Sequence, residues 1–148
     1  MRIKLLIVAA FIFIGLKVDA QGQYATFNHV AIMVTNADRS AAFYTKWFHL
    51  HIIKNPFPGR PIKWLSLGGS MQLHLIQGQK SEVTVSRDNH IAFSVTSITD
   101  FEKLLKKANI LYEDEDGKAG AITTRSDGVK QIYFRDPDGY LVEVNNAR

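Results

Sequence analysis

The chain holds 148 residues, 46% hydrophobic and 22% charged, with a formal net charge of +4. This is a globular composition, long enough for one domain with its own core. There is no cysteine, which excludes disulfides, thiolate metal sites and thiol nucleophiles. The basic residues form no dense cluster, so a nucleic-acid footprint is not indicated.

Taken in chain order, Met1-Arg2-Ile3-Lys4 is a basic start, and residues 5–16 are apolar apart from Gly15. Val18-Asp19-Ala20 then supplies compact residues at a cleavage position. This pattern predicts a signal peptide over residues 1–20, cut after Ala20, and hence an exported protein with no stable membrane insertion after cleavage. The apolar run is short for a membrane span. Removing the leader loses three cations (Arg2, Lys4, Lys17) and one anion (Asp19), so the net charge falls from +4 to +2.

Residues 21–148 read as a single domain of two βαβββ modules, about 27–77 and 89–145. In the first, alternation predicts a strand over 27–35, and an apolar stripe through Ala41, Tyr44 and Phe48 predicts a helix over 37–49. Strands follow at 51–55, 62–67 and 71–77, the last two joined at Gly68-Gly69. Residues 78–88 are polar and read as the linker. The second module repeats the order: a strand from His90, a helix over 98–108 with Phe101, Leu104, Leu105 and Ala108 inward, and a short strand over 111–115. A loop follows over 117–128. A closing hairpin of 130–135 and 140–145 turns at Asp136-Pro137-Asp138-Gly139, where Pro fixes φ and Gly supplies a positive one.

The modules share a repeated strand. His29-Val30-Ala31-Ile32-Met33-Val34-Thr35 matches His90-Ile91-Ala92-Phe93-Ser94-Val95-Thr96 at four of seven positions. Each copy leads into a Ser/Thr-x-x-Asp helix start, Thr35 to Asp38 and Ser97 to Asp100. Alternation places His29 with Ala31 and Met33 on one face, and His90 with Ala92 and Ser94. His74 shares a face with Gln72 and Ile76, and Glu143 with Leu141 and Asn145. Each module thus offers one ligand-type side chain on its first strand and one on its last. A lone histidine at a strand start is ordinarily a hydrogen-bonded edge residue, and Leu73-His74-Leu75 also fits a half-buried strand; it is the repeat that singles these positions out. Glu143, between Val142 and Val144, is a poor core occupant without a partner. His29, His74, His90 and Glu143 make a set for one divalent ion: Zn, Ni, Fe or Mn. His49 and His51 lack repeat counterparts and read as surface or rim residues, and the run Glu113-Asp114-Glu115-Asp116 reads as a solvated strand end.

The segments Asn28-His29-Val30-Ala31, Asp38 to Tyr44, Gln72-Leu73-His74-Leu75, His90-Ile91-Ala92-Phe93 and Tyr133 to Glu143 resemble the vicinal oxygen chelate superfamily. That superfamily includes glyoxalase I, fosfomycin- and bleomycin-resistance proteins, methylmalonyl-CoA epimerase and extradiol dioxygenases. The Asp-Pro-Asp-Gly hairpin followed by Glu is the most specific piece, and the likeness spans nearly all of residues 27–145. The resemblance implies an α+β glyoxalase-like fold, with both modules in a cupped mixed sheet, helices outside and the four candidate residues on the concave face. It implies a metal-dependent enzyme on a small substrate that chelates through vicinal oxygens, closest to a lactoylglutathione lyase-like lyase or isomerase. The alternatives are a dioxygenase, a fosfomycin-type thiol transferase, or a non-catalytic bleomycin-resistance-type binding protein. Glu143 would serve as ligand and base, and His74, where glyoxalase I often has Glu, as a fourth ligand or a nearby base. As in small glyoxalases, a homodimer is expected, with His29/His74 of one chain meeting His90/Glu143 of its partner. A glutathione adduct is a cytosolic substrate, which conflicts with export; the substrate of an exported relative would be an environmental metabolite or toxin.

Overall fold

Alternation decides which side of each strand is buried, and the buried sides decide how the modules stack. In the computed structural model, residues 25–83 and 85–147 are described; the leader and its cleavage site lie outside them. Module one contains β1 (His29–Val34), α1 (Ala37–Phe48), β2 (His51–Ile53), β3 (Ile62–Gly68) and β4 (Met71–Gln77). Module two contains β5 (His90–Ser94), α2 (Ile98–Lys107), β6 (Tyr112–Glu113), β7 (Thr123–Thr124), β8 (Lys130–Arg135) and β9 (Leu141–Asn145). A short 3-10 turn, Lys80–Glu82, lies in the expected linker. The first sheet runs β1-β4-β3-β2, and the second β5-β9-β8-β6 with β7 beside β8. In each, the first strand pairs parallel with the last, β1 with β4 and β5 with β9, as a helical crossover requires. The cup is therefore divided between two separately hydrogen-bonded mixed sheets. Among the described residues, no helix is long and apolar enough to cross a membrane.

The helix starts correct one expectation. The cap of α1 is Asn36, whose side chain accepts from the Arg39 amide, not Thr35; α2 is capped by Ser97, which accepts from Asp100. Helix α1 ends one residue early, at His49 in the left-handed region with φ 54°. In α2 the buried stripe is Ile98, Phe101 and Leu105, whereas Leu104 is 54% exposed and Ala108 is exposed. Residues 104 and 105 differ by about 100° around a helix, so they cannot both face inward. The β3–β4 hairpin turns at Gly68 and Gly69, both at positive φ, where a side chain would be strained.

The core faces are those opposite the candidate residues: Val34, Leu73 and Leu75 in the first sheet, Ile132, Phe134, Val142 and Val144 in the second. They belong to one cluster that crosses the modules. Helix α1 covers β3 and β4 of its own sheet and also reaches module two. Phe43 and Trp47 contact the Phe134 ring at 5.6 and 5.8 Å, and Phe48 stacks on Phe93 at 3.8 Å. The modules thus pack through their helix-bearing sides, which leaves the opposite faces of the two sheets turned away from each other.

The closing turn fastens that arrangement. Asp138, with no side-chain exposure, accepts from the Thr35 amide (2.8 Å), the Thr35 hydroxyl, the Ser40 hydroxyl (2.8 Å) and the Arg39 guanidinium (3.2 Å). Asp136 accepts from its own turn, Asp138 and Tyr140 amides at 2.9 Å, and from the Tyr44 hydroxyl at 3.0 Å. Burial, then the nearby Asp136, pushes the Tyr44 phenol above its ordinary range, so it remains a donor. Tyr44→Phe keeps the ring and removes one buried bond to a carboxylate. The expected loss is about 1–3 kcal/mol in urea unfolding, with the slope of the transition unchanged.

Candidate functional site

The outward faces carry the four candidate residues as two pairs. On the first sheet, Gln72 registers with His29, and His74 with Ala31 and Trp64. This puts three rings in a row across β1, β4 and β3. His29 and His74 stack at 4.4 Å between centroids and 18° between planes, and Trp64 covers His74 at 3.7 Å. His29 is exposed, whereas His74 is only 8% exposed. Burial, and then the neighbouring His29, lowers the His74 imidazole below its usual pKa, so it favours the neutral ring. His29 Nδ1 lies 2.8 Å from Asn28 Oδ1, and His74 Nε2 lies 2.8 Å from Gln72 Oε1. Each of these contacts would place a ring proton on the nitrogen that faces the amide oxygen. An outer carbonyl fixing the tautomer in this way is the usual support of a metal-ligating histidine.

On the second sheet, Glu143 is 7% exposed at the centre of a polar network. Its Oε2 lies 3.1 Å from His90 Nε2 and accepts from the Tyr133 hydroxyl at 2.8 Å, while Oε1 accepts from the Asn145 amide at 2.8 Å. Gln131 donates to the Tyr133 oxygen at 3.1 Å and to Glu115 at 3.0 Å. Ser94 donates to Asn145 at 3.1 Å. Burial, then the bond to Glu143, raises the Tyr133 phenol above its ordinary range and keeps it a donor. Two ligands bonded at about 2.1 Å to one ion sit roughly 3–3.4 Å apart; the His90–Glu143 separation of 3.1 Å falls within that span. The spacing of the His90–Glu143 pair is thus compatible with a shared divalent ion, and the other two candidate donors lie on the first sheet.

The four do not meet within one protomer: among the described residues, no three or more His, Asp or Glu gather as a metal-holding group. His49 and His51 are exposed, as expected for surface or rim positions. The acidic run that starts at the end of β6 departs from its reading as a merely solvated strand end. Glu113 and the Asp114 and Glu115 carbonyls hold the linker's Arg87 at 2.6–2.9 Å, and its guanidinium lies 5.6 Å from the Tyr133 ring centroid.

Tyr133, Gln131 and Trp64 are missing from the candidates read in the sequence. The signal for the first two was the antiparallel register, which sets Tyr133 opposite Glu143 and Gln131 opposite Asn145. Trp64 sits likewise opposite His74.

Residues 26–144 match the family model described as the Glyoxalase/Bleomycin resistance protein/Dioxygenase superfamily. The chain is 30% identical over 132 residues to a protein named Glyoxylase I 4 from Arabidopsis thaliana, covering 82% of this chain and 71% of that one. It is 31% identical over 125 residues to Metallothiol transferase FosB from Shouchella clausii (strain KSM-K16), covering 81% and 79%. In fold it is similar to the solved structure titled Oxidase ChaP-H2, with a TM-score of 0.71 at 20% identity, over 85% of this chain and 96% of that one. With a match that runs from before β1 almost to the end of β9, the chain belongs to the glyoxalase/bleomycin resistance protein/dioxygenase superfamily, the vicinal oxygen chelate proteins.

Proposed function

We propose that the protein is a metal-dependent, glyoxalase-type lyase or isomerase, exported after cleavage near Ala20, whose site is completed between two copies of the chain. The observation that supports this reading is the pair of half-sites: His29/His74 and His90/Glu143 occupy equivalent strands of two sheets and, among the described residues, do not gather within one protomer. His29, His90 and Glu143 would hold a divalent ion, Zn, Ni, Fe or Mn, with His74 as fourth ligand or adjacent base. Such an ion, when bound, supplies Lewis-acid polarisation of two vicinal substrate oxygens.

The chain's own residues do the rest. Glu143 would exchange between coordination and proton transfer, taking a proton from one substrate carbon and returning it to the neighbouring one, a contribution typically of about 10²–10⁴-fold. Tyr133 and Asn145 hold its carboxylate in one plane, so the oxygen that accepts the proton is fixed before substrate arrives. Neutral His74 offers a lone pair where a cation would repel the ion. A second reading, a thiol transferase, is supported by the FosB relative; it needs three ligands and leaves His74 free to assist the thiol.

Mixing two inactive variants tests the shared site. Protein carrying His29→Ala with His74→Ala lacks one half, and Glu143→Gln damages the other. In co-refolded heterodimers, one of the two sites regains all four side chains. The expected result is up to about a quarter of wild-type turnover of an α-ketoaldehyde–thiol adduct, from statistical mixing with one restored site per heterodimer. A monomer by light scattering that binds metal tightly would reject the shared form. Loss of fosfomycin in the presence of thiol, without lyase activity, would favour the transferase.

A further inference from the structure

The helix-bearing side of module two has an opening of its own. Between the C-terminal ends of α1 and α2 lies a groove of about 800 Å3, within the size range of small-molecule sites. Its floor is aromatic: Phe48 stacks on Phe93 at 3.8 Å and 15°, and Trp47 meets Phe101 at 5.9 Å. Trp47, Phe48 and Phe93 are only half-buried, although their neighbours Tyr44 and Leu105 are fully covered. The rim is basic. Lys46, from the last turn of α1, and Lys107, from the last turn of α2, line it, and no acidic side chain does. Among the described residues neither lysine is in an ion pair, whereas Lys103 and Lys106 of α2 both are.

A last-turn lysine complements a helix dipole wherever it sits. Two of them unpaired beside half-exposed rings do more, because they set the chemistry of what can cover those rings. The rim carries two cations and no anion, so charge complementarity favours an anionic group there. The Lys46 ammonium lies 5.2 Å from the Trp47 ring centroid, which sets a cation beside the apolar floor. We infer that this groove binds a small amphipathic carboxylate, its apolar body on the Phe48–Phe93 floor and its carboxylate at the Lys46 and Lys107 rim. Most of the affinity comes from covering the rings, and the ion pairs, being exposed, supply the selectivity.

The probe is dodecanoate, titrated calorimetrically below its micelle concentration into the full-length protein. Saturable binding of one molecule per chain is expected, weakened about 10-fold in Lys46→Gln/Lys107→Gln and at least as much for dodecyltrimethylammonium on the wild type. Both lysines are exposed, so the variant folds; an unchanged thermal midpoint and unchanged Zn²⁺ titration check this and separate the groove from the metal reading. Absence of saturable binding overturns the inference, as does equal affinity in the variant or equal affinity for the cationic amphiphile. Dissociation of a dimer by the same two substitutions without ligand gives the face to a second copy and overturns it too.

Discussion

Glu143→Gln is expected to weaken Zn²⁺ or Ni²⁺ binding by at least about 100-fold and to abolish turnover, with the fold retained. The scale follows from loss of a ligand, since even outer partners of ligands are typically worth 10–100-fold. The fold survives because the carboxylate is already an awkward occupant. It is 7% exposed, held by Tyr133, Asn145 and His90. The amide keeps the shape and removes a buried charge. Where its NH₂ replaces an oxygen, the Tyr133 hydroxyl can turn and accept instead of donate. His74→Ala separates two roles: a fall in affinity comparable to that of Glu143→Gln makes it a fourth ligand, whereas unchanged affinity with slowed turnover makes it a base. Calorimetric metal titration of the three proteins reads both. Unchanged affinity in Glu143→Gln would remove this residue from the metal site and return the chain to the binding-protein reading.

The second large effect is on stability. Asp138→Ala should cost about 2–4 kcal/mol in denaturant unfolding, through loss of the bonds that Thr35 and Ser40 make to its charge and chiefly by stranding the Thr35 amide; the Ser40 hydroxyl keeps the Asn36 carbonyl at 3.1 Å. The Arg39 ion pair adds little, because that side chain is 52% exposed. Acid gives a finer test through Asp138→Asn. Burial pushes the Asp138 carboxyl up, but the bonds from Thr35 and Ser40 and the Arg39 charge outweigh it, so its pKa lies below the ordinary carboxylate value. A lowered pKa stabilises the fold above the unfolded value, about 3.9, and the contribution is lost as pH falls through the folded one. Asp136 runs the other way, since burial raises it. Comparing wild type with Asp138→Asn isolates the first: the stability gap should be full near neutrality and close progressively below about pH 4. A gap of the same size at pH 7 and pH 2.5 would show that the charge contributes nothing.

Much of this was legible in the chain because the signals are local. Met71–Gln77 and Lys130–Arg135 have the expected bounds, being alternating runs cut off by turn residues. The repeat and its alternation alone offer His29 and His74 in one module and His90 and Glu143 in the other, and each pair lies together on its sheet. What was not legible is of two kinds. Thr123–Thr124 is too short to show a period, and the choice of Asn36 over Thr35 as cap turns on a competing partner for Thr35, namely Asp138, 103 residues away. The relation between the two faces depends likewise on long-range contacts, above all Phe43, Trp47 and Phe48 against Phe134 and Phe93. No periodicity within either module encodes which way the other one lies.

The fastening at Asp138 also sets the two halves apart. An offset of 61 residues carries His29 onto His90, and it carries Arg39 onto Asp100, Ser40 onto Phe101 and Tyr44 onto Leu105. The turn that supplies Asp136 and Asp138 has Gly68-Gly69 as its counterpart in module one. The acidic turn exists only in the second half, and of the residues that receive it Thr35 recurs as Thr96, whereas Arg39, Ser40 and Tyr44 have no like counterpart. The two halves are therefore not interchangeable, and chimeras built from two copies of either half should fail to assemble as this chain does.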